Sequence, residues 1–194
     1  VVVIDHHRKT TEYIDNTVLF YHEPFASSAS EMVSLLLEYT PTAEVSKGLA
    51  EALMAGIMLD TKGFIMKTGV RTFEVAAWLK QKNADVPTVK RLFSASMEHY
   101  RFKAQTVASA EIYHRSAISL VEGTHPDIRT IVPQAADELL AIDNVEASFV
   151  LYEADGFTII SARSMGAINV QLILENLGGG GHQTMAGAQL KGVY

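Results

Sequence analysis

Asp5, His6 and His7 stand together directly after four apolar β-formers, Val1 to Ile4. A carboxylate beside two imidazoles suits metal or phosphate chemistry. Neutral imidazole binds Mn or Zn, and an adjacent carboxylate can fix its tautomer. A second candidate is Gly56-Ile57-Met58-Leu59-Asp60-Thr61-Lys62-Gly63-Phe64. Here Asp60 could bridge metals and Thr61 and Lys62 could meet a phosphate. The same run also reads as an ordinary helix stop, because the helix dipole favours Lys in a last turn. The third is Gly178-Gly179-Gly180-Gly181-His182, where glycines let the backbone approach a ligand closely and offer N–H groups to an anion. Arg163 leaves an apolar stretch where a phosphate clamp would be useful, although a strand-end Arg facing solvent is commoner. Asn169 is equally open to both readings. His22, His99, His114 and His125 show no ligand spacing and read as surface or packing residues.

These residues need a scaffold. Val1 to Arg8 reads as a buried strand that delivers Asp5-His6-His7 to its carboxyl end, where ligands bind in open α/β sheets. Val18 to Tyr21 predicts a second strand. Ser28-Ala29-Ser30-Glu31 fits a capping box, opening a helix that Pro41 stops. Further helices are expected over about Val45–Leu59, after Thr68-Gly69, and after Pro87. Glu98 to Arg115, free of Gly and Pro, reads as a connecting helix. Ile118–Val121 and Ile128–Val132 predict strands, with Pro133 as the first residue of a helix through Leu140. Val145–Ala154 and Phe157–Ala162 alternate apolar and polar residues around Asp155-Gly156, a hairpin signal. A last helix spans Ile168–Leu177, and Met185, Ala186 and Leu190 mark a final strand-like run. The fold class is therefore α/β in two lobes: a partial parallel-sheet domain with flanking helices over 1–95, a connecting helix over 96–115, and a smaller α+β lobe over 116–194.

Composition narrows the function. The 194 residues carry a formal net charge of −6, a poor match for long nucleic acid, whose binding requires many phosphates to be neutralised. A small anion gripped locally remains compatible. With no cysteine, thiolate metal sites and iron–sulfur clusters are excluded, leaving His, Asp and Glu as ligands. No run approaches the roughly 20 apolar residues that span a bilayer, so no membrane contact is expected of this stretch.

Together, VVVIDHHR, GIMLDTKGF and RSMGAINVQLILENLGGGGHQTMAGAQ resemble, in order and spacing, the DHH phosphoesterase superfamily with its DHH-associated C-terminal domain. The resemblance covers essentially the whole chain. Asp60-Thr61-Lys62-Gly63-Phe64 followed by Thr68-Gly69-Val70-Arg71-Thr72-Phe73-Glu74 is most similar to the GdpP-type cyclic-di-AMP phosphodiesterases of that superfamily. The resemblance implies a site with two Mn2+ ions that hydrolyses cyclic di-AMP to pApA. A short-oligonucleotide nuclease or pAp phosphatase is the alternative, and a nucleotide-binding module without turnover a third reading. By the same resemblance, His6 and Asp60 would be metal ligands, Asp60 bridging, and Asp5 would orient His6 or ligate. His7 would contact the scissile phosphate. Arg163, Asn169, Gly179, Gly180, Gly181 and His182 would hold the substrate. The family's two earlier ligand motifs are expected upstream of Val1, and a final helix beyond Gly192-Val193-Tyr194. The expectation is that these 194 residues alone show little Mn-dependent hydrolysis. The family's architecture implies a catalytic module facing the cytoplasm of a bacterium, in a parent anchored in the membrane, and is compatible with a homodimer.

Overall fold

Val2–Asp5 forms β1 and Leu19–His22 forms β2, paired in parallel with Val2 opposite Leu19 and Asp5 opposite His22. A computed structural model describes residues 1–7 and 13–192; Arg8 of the opening motif and Val193-Tyr194 lie outside the described residues. The chain divides into two compact units, 1–94 and 95–194.

In the first unit, the β pair is followed by α1 (Ala29–Glu38), α2 (Lys47–Asp60), α3 (Val70–Gln81) and α4 (Val86–Arg91). Side-chain caps start three of them: Ser28 Oγ accepts from Glu31 N–H, Ser46 Oγ from Leu49 N–H, and Asp85 Oδ2 from Thr88 N–H. Their apolar stripes meet in a core of Ala50, Leu53, Met54, Ile57, Val75, Leu79, Ala84 and Val89. Gly56 lets α2 lie against α1, because a Cβ there would overlap the Ser30 side chain. The expectation of a buried first strand is corrected. Val2 is exposed and Val3 to Asp5 only partly covered. Among the described residues β1 pairs with β2 alone, and a two-stranded sheet cannot cover its own faces.

The second unit begins with α5 (Met97–Ala108), followed by β3 (Glu111–Tyr113), β4 (Ser116–Leu120), α6 (Ile128–Leu139), β5 (Ala147–Ala154), β6 (Phe157–Ser164), α7 (Val170–Glu175), β7 (Gly180–His182) and β8 (Met185–Lys191). Its six strands run in the order β3-β4-β5-β6-β8-β7. Only β4 and β5 are parallel, and α6 makes their crossover. Alternation assigns the two faces. Val150 and Tyr152 join Val132, Ala135, Ala136 and Leu139 of α6, whereas Ala147, Ile160, Ala162, Ala186 and Ala188 pack with Val170 and Leu174 of α7. At the β5–β6 tip, Asp155 (φ 54°) and Gly156 (φ 77°) make the two-residue turn with both φ positive that their types favour.

Two predicted elements differ. Ile128–Val132 is not a strand but the first turns of α6, and Pro133 sits inside that helix rather than at its start. Ile128, Ile131, Val132, Ala135, Ala136 and Leu139 repeat at helical spacing, and burying that stripe outweighs the one hydrogen bond that Pro133 forgoes. The predicted connecting helix ends at Ala108, after which Glu111–Tyr113 pairs with β4 as an edge strand. The fold is mixed α/β, as the residue pattern implies. Among the described residues no helix is long and apolar enough to cross a membrane.

Candidate active site

β1 ends on Asp5, so His6 and His7 leave from its carboxyl end. The His6 side chain is largely buried, with Nδ1 3.3 Å from the Ala26 carbonyl oxygen. A carbonyl only accepts, so Nδ1 carries the hydrogen and Nε2 keeps its lone pair. That Nε2 lies 3.6 Å from Asp60 Oδ2. Asp60 closes α2, and the turn behind it is wrapped tightly around Thr61. Thr61 Oγ1 donates to Ile57 O at 2.7 Å and accepts from Phe64 N–H at 2.9 Å, while the Thr61 carbonyl accepts from Ile65 and Met66. Thr61 is fully buried, which agrees with the helix-stop reading of this run and not with contact to a phosphate: its hydroxyl shapes the turn that presents Asp60. Lys62 follows at φ 50°.

The His6–Asp60 pair fits a divalent cation. Ligand bonds of about 2.1 Å allow two donors on one ion to stand up to about 4.2 Å apart. An imidazole nitrogen with a carboxylate oxygen suits Mn, Mg or Zn, and an Nδ1–H bonded to a backbone carbonyl is the usual arrangement behind a ligating His. Among the described residues no three His, Asp or Glu side chains converge as a metal cluster.

Asp5 is engaged elsewhere than expected. Its Oδ1 accepts from His7 N–H at 3.0 Å and from His7 Nδ1 at 2.8 Å, so Asp5 orients His7, and Ala26 orients His6. The backbone bond first, and the imidazole bond second, hold the Asp5 carboxyl below its ordinary range, against a small opposing effect of burial. His7 is 77% exposed, with its free edge turned to solvent. His22, read from the sequence as a surface or packing residue, donates from Nε2 to the His7 carbonyl at 2.6 Å. The signal that could have found it is register: the last residue of β2 faces Asp5.

In the second unit the expected substrate residues gather at one end of the sheet. His182, Met185, Arg163 and Ser148 form one cross-strand row, so His182 and Arg163 stand two strand spacings apart, about 10 Å. Asn169 caps α7, its Oδ1 accepting from Leu172 N–H, and the next residue, Val170, donates to Gln183 O beside His182. Arg163 does not project into solvent. It is buried on the α6 face, donating from Nε to Asp137 Oδ1 at 3.0 Å and from Nη1 to Ser161 Oγ and the Ala162 carbonyl. The glycines also have a structural task. A Cβ on Gly179 would overlap Gly187 O and Ala188, and one on Gly181 would overlap Met185 O and Ala186, whereas Gly180 meets nothing within 4 Å. Close approach of β7 to β8 thus accounts for two of the four.

Family models match the DHH family, N-terminal domain, over residues 1–57 and the DHHA1 domain over residues 115–193. The chain carries a DHH and a DHHA1 domain. It is 45% identical over its whole length to the cyclic-di-AMP phosphodiesterase GdpP of Geobacillus thermodenitrificans and 43% identical to the cyclic-di-AMP phosphodiesterase PdeA of Listeria monocytogenes. It spans 30% of the length of each. Among solved structures, an exopolyphosphatase-related protein from Bacteroides fragilis superposes with a TM-score of 0.84 at 24% identity, covering all of this chain and 59% of that one, which shows the shared fold.

Proposed function

We propose that the protein carrying this chain is a metal-dependent phosphodiesterase that hydrolyses cyclic di-AMP to pApA with two manganese ions. The observation that carries the reading is the His6 Nε2–Asp60 Oδ2 pair, 3.6 Å apart with the His6 tautomer set from behind. Similarity to two cyclic-di-AMP phosphodiesterases supports the choice of substrate. In this reading His6 and Asp60 would be residues that hold the cations. The bound cations supply the activation of water and the charge neutralisation that an in-line phosphoryl displacement needs. His7, braced by Asp5, presents its outer nitrogen to the scissile phosphate. Arg163, Asn169, Gly179, Gly180, Gly181 and His182 bind the nucleotide; a phosphate at Arg163 would compete with Asp137 for the guanidinium. The module faces the cytoplasm in a membrane-anchored parent.

The test is turnover by the full-length protein with Mn2+, comparing cyclic di-AMP with pApA. Preference for cyclic di-AMP, lost at least a hundredfold in His6→Ala and Asp60→Asn, supports the proposal. Preference for pApA instead assigns the short-oligonucleotide nuclease or pAp phosphatase activity. Turnover that survives both substitutions refutes the metal roles.

A further inference from the structure

Glu31 is an ionisable residue in the first turn of α1 with only 2% of its surface exposed. Its Oε2 accepts three hydrogen bonds: from Ser27 Oγ at 2.5 Å, from Thr72 Oγ1 at 2.7 Å and from Ser27 N–H at 3.4 Å. Ser27 and Thr72 are themselves buried, and Thr72 Oγ1 also accepts from Gly69 N–H at the start of α3. In an ordinary capping box the third helical residue reaches back to the N-cap's own N–H. Glu31 reaches one residue further, past Ser28 to Ser27, and across to a second helix. The peptide it grips matters because its carbonyl belongs to Ala26, the acceptor for His6 Nδ1. The other side of this short loop is pinned as well: Ala26 N–H donates to Glu23 O, and Glu23 N–H donates to Asp5 O.

We infer that Glu31 is a positioning residue for His6: by holding the Ala26–Ser27 peptide from α1 and α3, it aims the Ala26 carbonyl at Nδ1 and so turns Nε2 toward Asp60. Apolar side chains of similar volume would close the same space without burying a carboxyl group. A carboxyl oxygen with three donors, however, has a single position, and that position is passed through two covalent links to the carbonyl that sets the imidazole. The geometry stands by itself; its use in holding a cation rests on the function proposed above.

The experiment follows the His6 ring in the full-length protein, labelled with 15N-histidine and free of metal, alongside the Mn2+ dissociation constant measured by EPR of the free ion. In the wild type, His6 is expected as the Nδ1–H tautomer. Glu31→Ala is expected to mix the tautomers and to weaken Mn2+ binding about tenfold, the lower end of the effect of partners behind a ligand. Glu31→Gln, which keeps an acceptor in place, is expected to restore both. Ser27→Ala removes only the hydroxyl bond, and is expected to shift the ring the same way should Glu31→Ala fold poorly. Wild-type His6 tautomer in both Glu31→Ala and Ser27→Ala overturns the inference. A shifted tautomer with unchanged Mn2+ affinity, and His6→Ala binding Mn2+ like the wild type, leaves the positioning role standing and removes the metal role of His6 instead.

Discussion

The glycine run offers a sharp trial of what holds the second unit together, through Gly179→Ala, Gly180→Ala and Gly181→Ala made separately. At Gly179 the new methyl carbon would lie 2.6 Å from Ala188 Cβ and closer still to the Gly187 carbonyl, against the 3.5–4.0 Å of ordinary carbon contacts. The obstacles are the backbone and a Cβ, not a flexible side-chain tip, so β7 must lift from β8. Overpacking of this kind costs about 1–3 kcal/mol. At Gly181 the methyl would lie 2.9 Å from Ala186 Cβ, and φ is +150°. A side chain in that conformation adds roughly 1–3 kcal/mol of strain. Gly180 has open space and no positive φ, so alanine there costs nothing in contacts and removes some unfolded-state freedom, for a change near zero or slightly stabilising. For a unit of this size, about 2 kcal/mol lowers the melting temperature by roughly 8–16 °C. Differential scanning calorimetry should therefore rank the variants with Gly181→Ala lowest, Gly179→Ala next and Gly180→Ala at or above the wild type. Equal melting temperatures for all three, or Gly180→Ala as the most damaging, would refute the packing account.

Leu139→Ala, at a fully buried position between α6 and the sheet, is expected to cost about 2–5 kcal/mol, read by urea denaturation. Burial raises the Tyr152 phenol above its ordinary value of 10.0, with Arg129 opposing the shift and Asp155 adding to it. A raised folded value means stability complete below pH 10 and lost as pH climbs through the folded value, so melting should fall steeply above about pH 10 and less steeply in Tyr152→Phe. Asp5 has the opposite sign. Its lowered value makes the His7 bonds contribute above its ordinary 3.8 and fade as pH drops through the folded value, so Asp5→Asn should flatten the acid limb of a stability profile followed by circular dichroism.

What was legible in the sequence was mostly local. Asp155-Gly156 demanded a two-residue turn, and Ser28 a helix start, because the turn and cap chemistry lies within four residues. The juxtaposition of His6 with Asp60 was legible as motif order, 54 positions apart, and the structure draws the two side chains together. What escaped was the choice among partners that only tertiary packing offers. Asp5 could bond to either histidine and took His7, whose own N–H adds a second bond. Glu31 read as half of a capping box, and its contact with Thr72 on another helix has no local signal. Ile128–Val132 looked like a strand because β-branched residues precede a proline. The longer stripe that continues to Leu139 carried more buried surface than the proline removed.

The sheet of the second unit also implies an order of assembly and of opening. Its centre is β5–β6, a hairpin closed by a two-residue turn, while β4 and β8 reach it across longer stretches of chain. The β3–β4 and β7–β8 hairpins also turn in two residues, but β5–β6 has much the longest ladder of the three, so the sheet should grow outward from that hairpin and fray inward from its three-residue edges, β3 and β7. Amide hydrogens should exchange slowest along Val150–Tyr152 and Ile159–Ser161 and fastest at Glu111–Tyr113 and Gly180–His182. The edge that carries His182 is then one of the two parts of the sheet that open most cheaply, and a ligand that closed on it would be felt first as slowed exchange there.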